Sequence, residues 1–558
     1  MPRIKTRNES SYHIDKGTSG GQEQLEQAPF GKGIEPTISS LSCDGRNGFG
    51  FAGNHRTNTE KTASATGPMS RNLTIPAMDQ SFARSLVWRA AGDWSSQILA
   101  WASFVIVVRL LTPADFGIVA MAVILLPYLR YVSEFGIPRI IVRFRDLTED
   151  QLGQLNTISL VLGLVCFVLA ALLAKPVAVF FRTPGVAAVV VVTCVALLPL
   201  SARAVSEGLL AKEMQFGLLA WFDAVNSIVA AVLTLLLAFF GLGYWSLVLG
   251  NLLATFVRSS LILRARPHRF ARPRLQSIRE QLLFGWHSSV SVVALNSYQR
   301  LDNLTAGRVL GQAALGFYGM AWNLANVPME KVTSIVTTVA PTYLAAVQNE
   351  PAALRRYVRT LTEAIALATF PATVGLGLAA RELMPLVFGH RWDGVIVPLE
   401  VLSMYAAFRS IVALLSKVLT AVGNARYVMW NDLAALVILP TAFYLGSHWG
   451  TGGIAWAWVA AYPLVAFPLY RKVFKTINMR TGEYFRAIRP ALEATLMMTL
   501  AVGLVKYTTP SSRGLLARLL LEIAVGMVVY VCTLLLLHRE RVLSFVRMAK
   551  SFRAQAPA

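Results

Sequence analysis

Arg130 and Glu134 stand four residues apart inside an otherwise apolar run, a setting in which charge is expensive. Similar intrusions recur along the chain. Arg89, Asp93, Ser96 and Gln97 fall at i, i+4, i+7 and i+8, which is one stripe of a helix. Asn296, Gln299, Arg300 and Asn303 make a second stripe with Asp302 beside it, and Asn323, Asn326 and Glu330 follow at helical spacing. Arg203, Arg409, Lys417 and Glu400 are single charges in apolar surroundings. Guanidinium groups either pair with a neighbouring carboxylate or grip an anion, and amides serve hydroxyls. A carboxylate held away from water can take up and release a proton or bind a small cation. For Arg130 with Glu134, structural pairing and ligand contact both fit. No Ser/His grouping and no clustered carboxylates suggest catalysis, so an enzyme is not expected.

The elements that carry these residues are long and apolar. The chain has 558 residues, 55% of them hydrophobic and 15% charged, with mean hydropathy +0.53. Apolar runs near the length needed to cross a bilayer recur from residue 84 onward, and they are apolar nearly all round. Fourteen spans are expected, near 84–111, 115–141, 155–174, 185–208, 217–240, 243–264, 281–307, 313–341, 359–380, 395–421, 427–446, 452–470, 488–506 and 515–537. Pro127, Pro199, Pro328, Pro371, Pro398, Pro440 and Pro463 lie in or near them and are expected bend points. The predicted class is an all-α polytopic membrane protein.

The formal charge of +22 does not point to nucleic acid, because of where it sits. Residues 1–80 are almost neutral, with nine Lys/Arg against eight Asp/Glu. The excess lies in alternate connections: Arg143 and Arg145; Arg264 to Arg279; Arg355, Arg356 and Arg359; Arg471 to Arg489; and the tail from Arg539. By the positive-inside bias these connections and both termini are cytoplasmic, which agrees with an even number of spans. The lead 1–80 is polar, lacks the apolar core of a signal peptide and is expected to be disordered, with Met69 and Met78 as alternative starts. Cys43, Cys166, Cys194 and Cys532 are scattered and suggest neither a metal site nor a disulfide framework; no cofactor is expected.

A corner is written twice. "RLLTPADFGIVAMA" (109–122) and "RVLGQAALGFYGMA" (308–321) agree at six of fourteen positions. "WFD" at 221–223 and "WND" at 430–432 echo at a similar offset. Because the corners are six spans apart, both copies have one orientation. Two parallel six-helix bundles are therefore expected, 81–264 and 281–475, joined by a basic linker 265–280 and followed by two further spans within 488–537 and a basic tail 538–558. Such repeats place a cavity between lobes that rock to give alternating access. Asp115 is placed to cap the second span. The extra two spans are either peripheral or line a groove for a lipid tail.

"RLLTPADFG", "LLAKEMQFGLLAWFD", "YQRLDNLTAGRVLGQAALGFYGMA" and "VAPTYLAAVQ", in that order over residues 80–490, resemble Wzx-type polysaccharide exporters. These form part of the polysaccharide transporter branch of the multidrug/oligosaccharidyl-lipid/polysaccharide flippase superfamily. The resemblance implies a bacterial inner-membrane flippase. Its substrate would be an undecaprenyl-pyrophosphate-linked oligosaccharide repeat unit destined for exopolysaccharide, capsule or O-antigen, with a polymerase and chain-length machinery as partners. A drug/cation antiporter of the same superfamily is the alternative. In that setting Arg300, Arg409, Arg130, Arg203, Lys417 and Arg89 are the expected cationic lining for the pyrophosphate. Gln97, Asn296, Gln299, Asn303, Asn323 and Asn326 are the polar lining, and Asp93, Glu134, Asp302 and Glu400 are candidates for ion coupling.

Overall fold

The computed structural model describes residues 101–144, 146–274, 276–297, 300–346, 350–510 and 514–539. Arg89, Asp93, Gln97 and Gln299 lie outside them, as do the polar lead and the tail beyond 539; of Asn296 only the backbone is described. The described part is helical. In order the helices are α1 (Trp101–Leu110), α2 (Pro113–Val123), α3 (Leu126–Glu134), α4 (Ile137–Arg143), α5 (Glu149–Phe181), α6 (Gly185–Cys194), α7 (Leu197–Lys212), α8 (Phe216–Phe239), α9 (Tyr244–Ala265) and α10 (Arg279–Ser297). There follow α11 (Leu301–Thr305), a π-helical turn (Ala306–Leu310), α12 (Gln312–Ala346), α13 (Pro351–Leu378), α14 (Ala380–Val387), a 3₁₀ turn (His390–Val395), α15 (Ile396–Ala421), α16 (Ala425–Ser447), α17 (Gly450–Thr476), α18 (Thr481–Thr508) and α19 (Leu515–Leu537).

Among the described residues, eleven helices are long and apolar enough to cross a membrane. They correspond to the expected second to sixth and ninth to fourteenth spans. The first and seventh expected spans lie partly outside the described residues, and the side chains of the eighth are described only as far as Thr333. The helices sort their residues by face. Along α5 the buried positions Cys166, Ala170, Ala174 and Ala178 recur every fourth residue, so that small side chains allow close approach. The other face exposes Val161, Val165, Val168 and Leu172, the last at 71%. Exposed apolar surface on this scale belongs against lipid.

Several expected spans are broken where the backbone chemistry requires it. The second becomes α2, α3 and α4. Pro127 sits in the first turn of α3, and Phe135 and Gly136 take left-handed conformations (φ 46° and 63°) before Pro138 opens α4. The fourth divides into α6 and α7 around Val195 and Ala196, because Pro199 has no N–H to offer the Val195 carbonyl. The corner at residue 112 is capped differently from expectation. Thr112, not Asp115, is the N-cap, and Asp115 three residues on closes a capping box: the Thr112 backbone N–H donates to Asp115 Oδ2 at 2.9 Å.

The connections at the two ends of the bundle differ. At the arginine-rich end, the 266–278 connection is laced to α5 and α7. Gln151 Nε2 donates to the Ser277 carbonyl at 3.2 Å, Thr157 Oγ1 to the Ala271 carbonyl at 2.8 Å, and Ser206 Oγ to the Arg266 carbonyl at 2.8 Å. At the opposite end, α18 and α19 are tied to α13 and α14 by buried charge. Lys506 Nζ lies 2.7 Å from Glu382 and 3.5 Å from Glu522, and Arg518 lies 3.6 Å from Glu382.

Candidate functional site

Four helices of the first half converge on a cavity of about 490 Å³. Arg130 enters from α3, Arg203 and Glu207 from α7, Asp223 and Asn226 from α8, and Asn251 and Arg258 from α9. The charges are cross-linked. Glu207 accepts from Arg258 at 3.1 Å and lies 3.3 Å from Arg203 Nε, Arg258 also reaches Asp223 at 2.8 Å, and Arg130 holds Glu134 at 2.7 Å. The Arg203 side chain is only 4% exposed; its Nε faces Glu207 without hydrogen-bond geometry, and one Nη has no hydrogen-bond partner. A buried guanidinium with N–H groups to spare, on the wall of a cavity, is placed to receive an anion.

A second cluster lies in the other half. Asp302 of α11 is fully buried. Tyr318 donates its hydroxyl to Asp302 Oδ2 at 2.8 Å, Trp458 Nε1 donates to the Tyr318 oxygen at 2.9 Å and approaches Asp302 Oδ2 at 3.3 Å, and the Asn303 backbone N–H reaches Oδ1 at 2.7 Å. α11, α12 and α17 therefore meet on one carboxylate. Next to it, Arg409 donates to Asn326 Oδ1 at 3.0 Å and stacks 5.6 Å from the centre of the half-buried Trp322 ring.

The expected residues thus separate. Arg130 and Arg203 share the first cavity. Asn326 and Arg409 meet beside the Asp302 cluster. Arg300, at the start of α11, and Lys417, near the arginine-rich end of α15, are exposed, as is Asn323, while Asn303 is half-buried. Glu134 and Glu400 are held in ion pairs, with Arg130 and with Arg381 (2.9 Å) respectively. Arg258 was not among the expected residues, although "TFVRSSLIL" shows it as a lone intramembrane cation. Tyr318, Trp322 and Trp458 were missed because an aromatic in an apolar run carries no mark of what it binds.

A third feature is an apolar cavity of about 800 Å³ between α13, α15, α17 and α18, walled by Phe370, Phe408, Phe467 and Phe485. Arg471, Arg486 and Arg489 also line it. These lie on the segments flanking the 477–480 connection.

A family profile described as "Polysaccharide biosynthesis protein" matches residues 106–397. Among curated proteins, the succinoglycan biosynthesis transport protein ExoT of Rhizobium meliloti (strain 1021) is 22% identical over 491 residues, covering 87% of this chain and 99% of that protein. An uncharacterized membrane protein in the cps region of Klebsiella pneumoniae is 23% identical over 66% of this chain and 76% of its own length. The lipopolysaccharide biosynthesis protein WzxC of Escherichia coli (strain K12) is 26% identical, over 55% of this chain and 63% of its own length. Among solved structures, the lipid II flippase MurJ in an inward closed conformation aligns with TM-score 0.64 at 14% identity, covering 82% of this chain and 100% of that one. An inward-facing multidrug transporter of the MATE family gives 0.51 at 18% identity, over 68% and 94%. At these identities the structural likeness speaks for the fold alone.

Proposed function

The chain belongs to the polysaccharide biosynthesis protein family, the Wzx-type transporters of the flippase superfamily, and we propose that it carries a polyprenyl-diphosphate-linked oligosaccharide from the inner to the outer leaflet of a bacterial plasma membrane. As a member it is a multi-pass membrane transporter and not an enzyme. In the proposed arrangement fourteen spans form two parallel six-helix lobes followed by two more helices. The basic connections and both termini face the cytoplasm, and a polymerase receives the product.

The observation that carries this reading is the three-arginine cavity with the unsatisfied Arg203 guanidinium. A diphosphate offers two adjacent negative groups whose oxygens match guanidinium forks. Arg130, Arg203 and Arg258 approach it from three helices, so a change in the relation of those helices changes the grip. Asn226 and Asn251 in the same wall suit sugar hydroxyls. An arginine-lined cavity disfavours the cationic drugs of the alternative antiporter. The apolar cavity beside α18, with Arg471, Arg486 and Arg489, suits the lipid chain of the carrier.

Asp302 is the proposed ion-coupling group. Its oxygens face an O–H and N–H groups, which are donors, rather than the oxygen lone pairs a metal cation requires. This donor set favours a proton over sodium. Deleting the gene tests the whole reading: lipid-linked repeat units accumulate facing the cytoplasm and polymer is lost. Normal polymer without such accumulation refutes it.

A further inference from the structure

The duplicated corner makes reciprocal contacts. A methyl group added to Gly117 would fall 1.8 Å from the Gln312 carbonyl oxygen, and one added to Gly316 would fall 1.9 Å from that of Pro113. Counted from the arginine that opens each copy, Gly117 and Gly316 are the same position, and so are Pro113 and Gln312. Each copy therefore lays its glycine on the other copy's helix start, the pattern of a two-fold contact in which i meets j and j meets i. No side chain larger than hydrogen fits at either place.

The arginines follow the same rule. Arg109, at the end of α1, donates from Nε to the Val387 carbonyl at 2.7 Å and from Nη2 to the Leu386 carbonyl at 2.6 Å. Those carbonyls end α14, the continuation of the third span of the second half. Arg308 donates from Nη1 to the Phe180 carbonyl at 2.5 Å and lies 5.3 Å over the Phe180 ring, at the end of α5, the third span of the first half. Helix C-termini present carbonyls with no intrahelical donor and the negative end of the helix dipole, so a guanidinium is a fitting cap. Between the two copies sits Trp392, fully buried. Its Nε1 donates to the Val108 carbonyl at 3.0 Å, and Phe116 of one copy and Phe317 of the other approach its ring edge-on at 5.2 and 6.3 Å.

We propose that the duplicated corner is a latch between the lobes, in which Arg109 and Arg308 each cap a helix end of the opposite lobe and hold the arginine-poor end of the transporter shut. Opening that end breaks both caps and withdraws Trp392 from its aromatic slot. Symmetry gives the latch its function. A rocking motion about the two-fold strains the two caps together, so the end opens as one event and not one side at a time. The proposal rests on the two-lobe arrangement above but on no substrate.

The test is a distance measurement on the full chain in lipid nanodiscs without added substrate. Spin labels replace Phe240 and Trp449, which are 79% and 78% exposed just beyond α8 and α16 at that end, in a background where the four cysteines are replaced. The parent protein gives one dominant short distance. Arg109→Ala with Arg308→Ala raises the ratio of long- to short-distance populations tenfold or more. Arg109→Lys with Arg308→Lys, which keeps the charge but loses the planar fork, shifts it less and in the same direction. Gly117→Leu, with both arginines present, shifts it as a wedge. An unchanged distribution in the double alanine variant overturns the proposal. So does an unchanged distribution in both the lysine and the wedge variants, should the alanine protein not fold. Loss of the substrate reading alone leaves these distances untouched.

Discussion

Replacing Arg203 by Met separates ligand contact from structural support. Arg203 has one ion pair, from Nε to Glu207 at 3.3 Å, and one Nη without a hydrogen bond. Glu207 keeps Arg258 at 3.1 Å after the change. Met fills most of the same volume and removes a poorly compensated buried charge, so unfolding stability moves by only about 1 kcal/mol in either direction. The ligand loses a charge-assisted hydrogen bond worth roughly 1.5–3 kcal/mol, which is a fall in affinity of roughly 10- to 150-fold. The assay is isothermal titration of the nanodisc-embedded protein with a short-chain prenyl diphosphate, alongside thermal unfolding of the same preparations. Arg258→Met is the contrast. It removes two ion pairs at once, to Glu207 at 3.1 Å and to the largely exposed Asp223 at 2.8 Å, while Glu207 keeps Arg203 at 3.3 Å, so it lowers the melting temperature more than Arg203→Met does. Affinity within threefold of the parent in Arg203→Met, with folding intact, would refute the assignment of this cavity to the diphosphate.

Glu207→Gln keeps a hydrogen-bond acceptor but removes the anion that competes with the ligand for two guanidiniums, so titration shows tighter prenyl diphosphate binding while export in cells slows. Asp302→Asn puts a carboxamide among the Tyr318 and Trp458 donors; transport in proteoliposomes loses its response to a proton gradient, and an unaltered response would remove Asp302 from coupling. Lys506→Met leaves Glu382 and Glu522 buried without their ammonium and lowers stability by about 3–5 kcal/mol; Glu382→Gln with Glu522→Gln in the same chain restores most of the melting temperature. Partial burial holds the His268 imidazole below its usual range, beside Ser206 Oγ at 2.9 Å. The unfolded chain therefore binds the proton more readily, and the contribution of His268 is present above pH ~6.5 and lost as pH falls below it. Limited proteolysis of the 266–278 connection accelerates between pH 7.5 and 5, and His268→Gln flattens that dependence.

The all-α, multi-span character was legible in the sequence because it follows from one-dimensional quantities, the length and apolarity of the runs. Asp302, Arg203 and Arg409 stood out for the same reason, as charges where charge is costly. Their partners did not. Arg258 meets Glu207 from 51 positions away, and Tyr318 and Trp458 meet Asp302 from 16 and 156, and no spacing rule reaches that far. Glu400 looked like a coupling carboxylate until Arg381 came to lie beside it. The breaks in the second span were written locally, in Phe135-Gly136-Ile137-Pro138, but an apolar window averages over them. The two corners were readable as copies, yet that they touch was not, because a repeat in sequence says nothing about which faces meet.

If the first cavity is the diphosphate site proposed above, its balance of charge bears on how a flippase differs from a binding protein. Arg130, Arg203 and Arg258 are matched by Glu134, Glu207 and Asp223. Three unmatched guanidiniums at this depth would carry a heavy desolvation cost when empty and would hold a diphosphate too tightly to release it. With carboxylates already on the arginines, the incoming anion exchanges for part of an existing pair. The difference between loaded and empty states is then small, and the ligand can leave. Arg203 is the least satisfied of the three: one of its Nη nitrogens has no hydrogen-bond partner, whereas Arg130 and Arg258 each hold a carboxylate within 2.8 Å. On the proposed reading the site combines one group that gains by binding with two that trade partners, as a carrier that must load on one side and unload on the other requires.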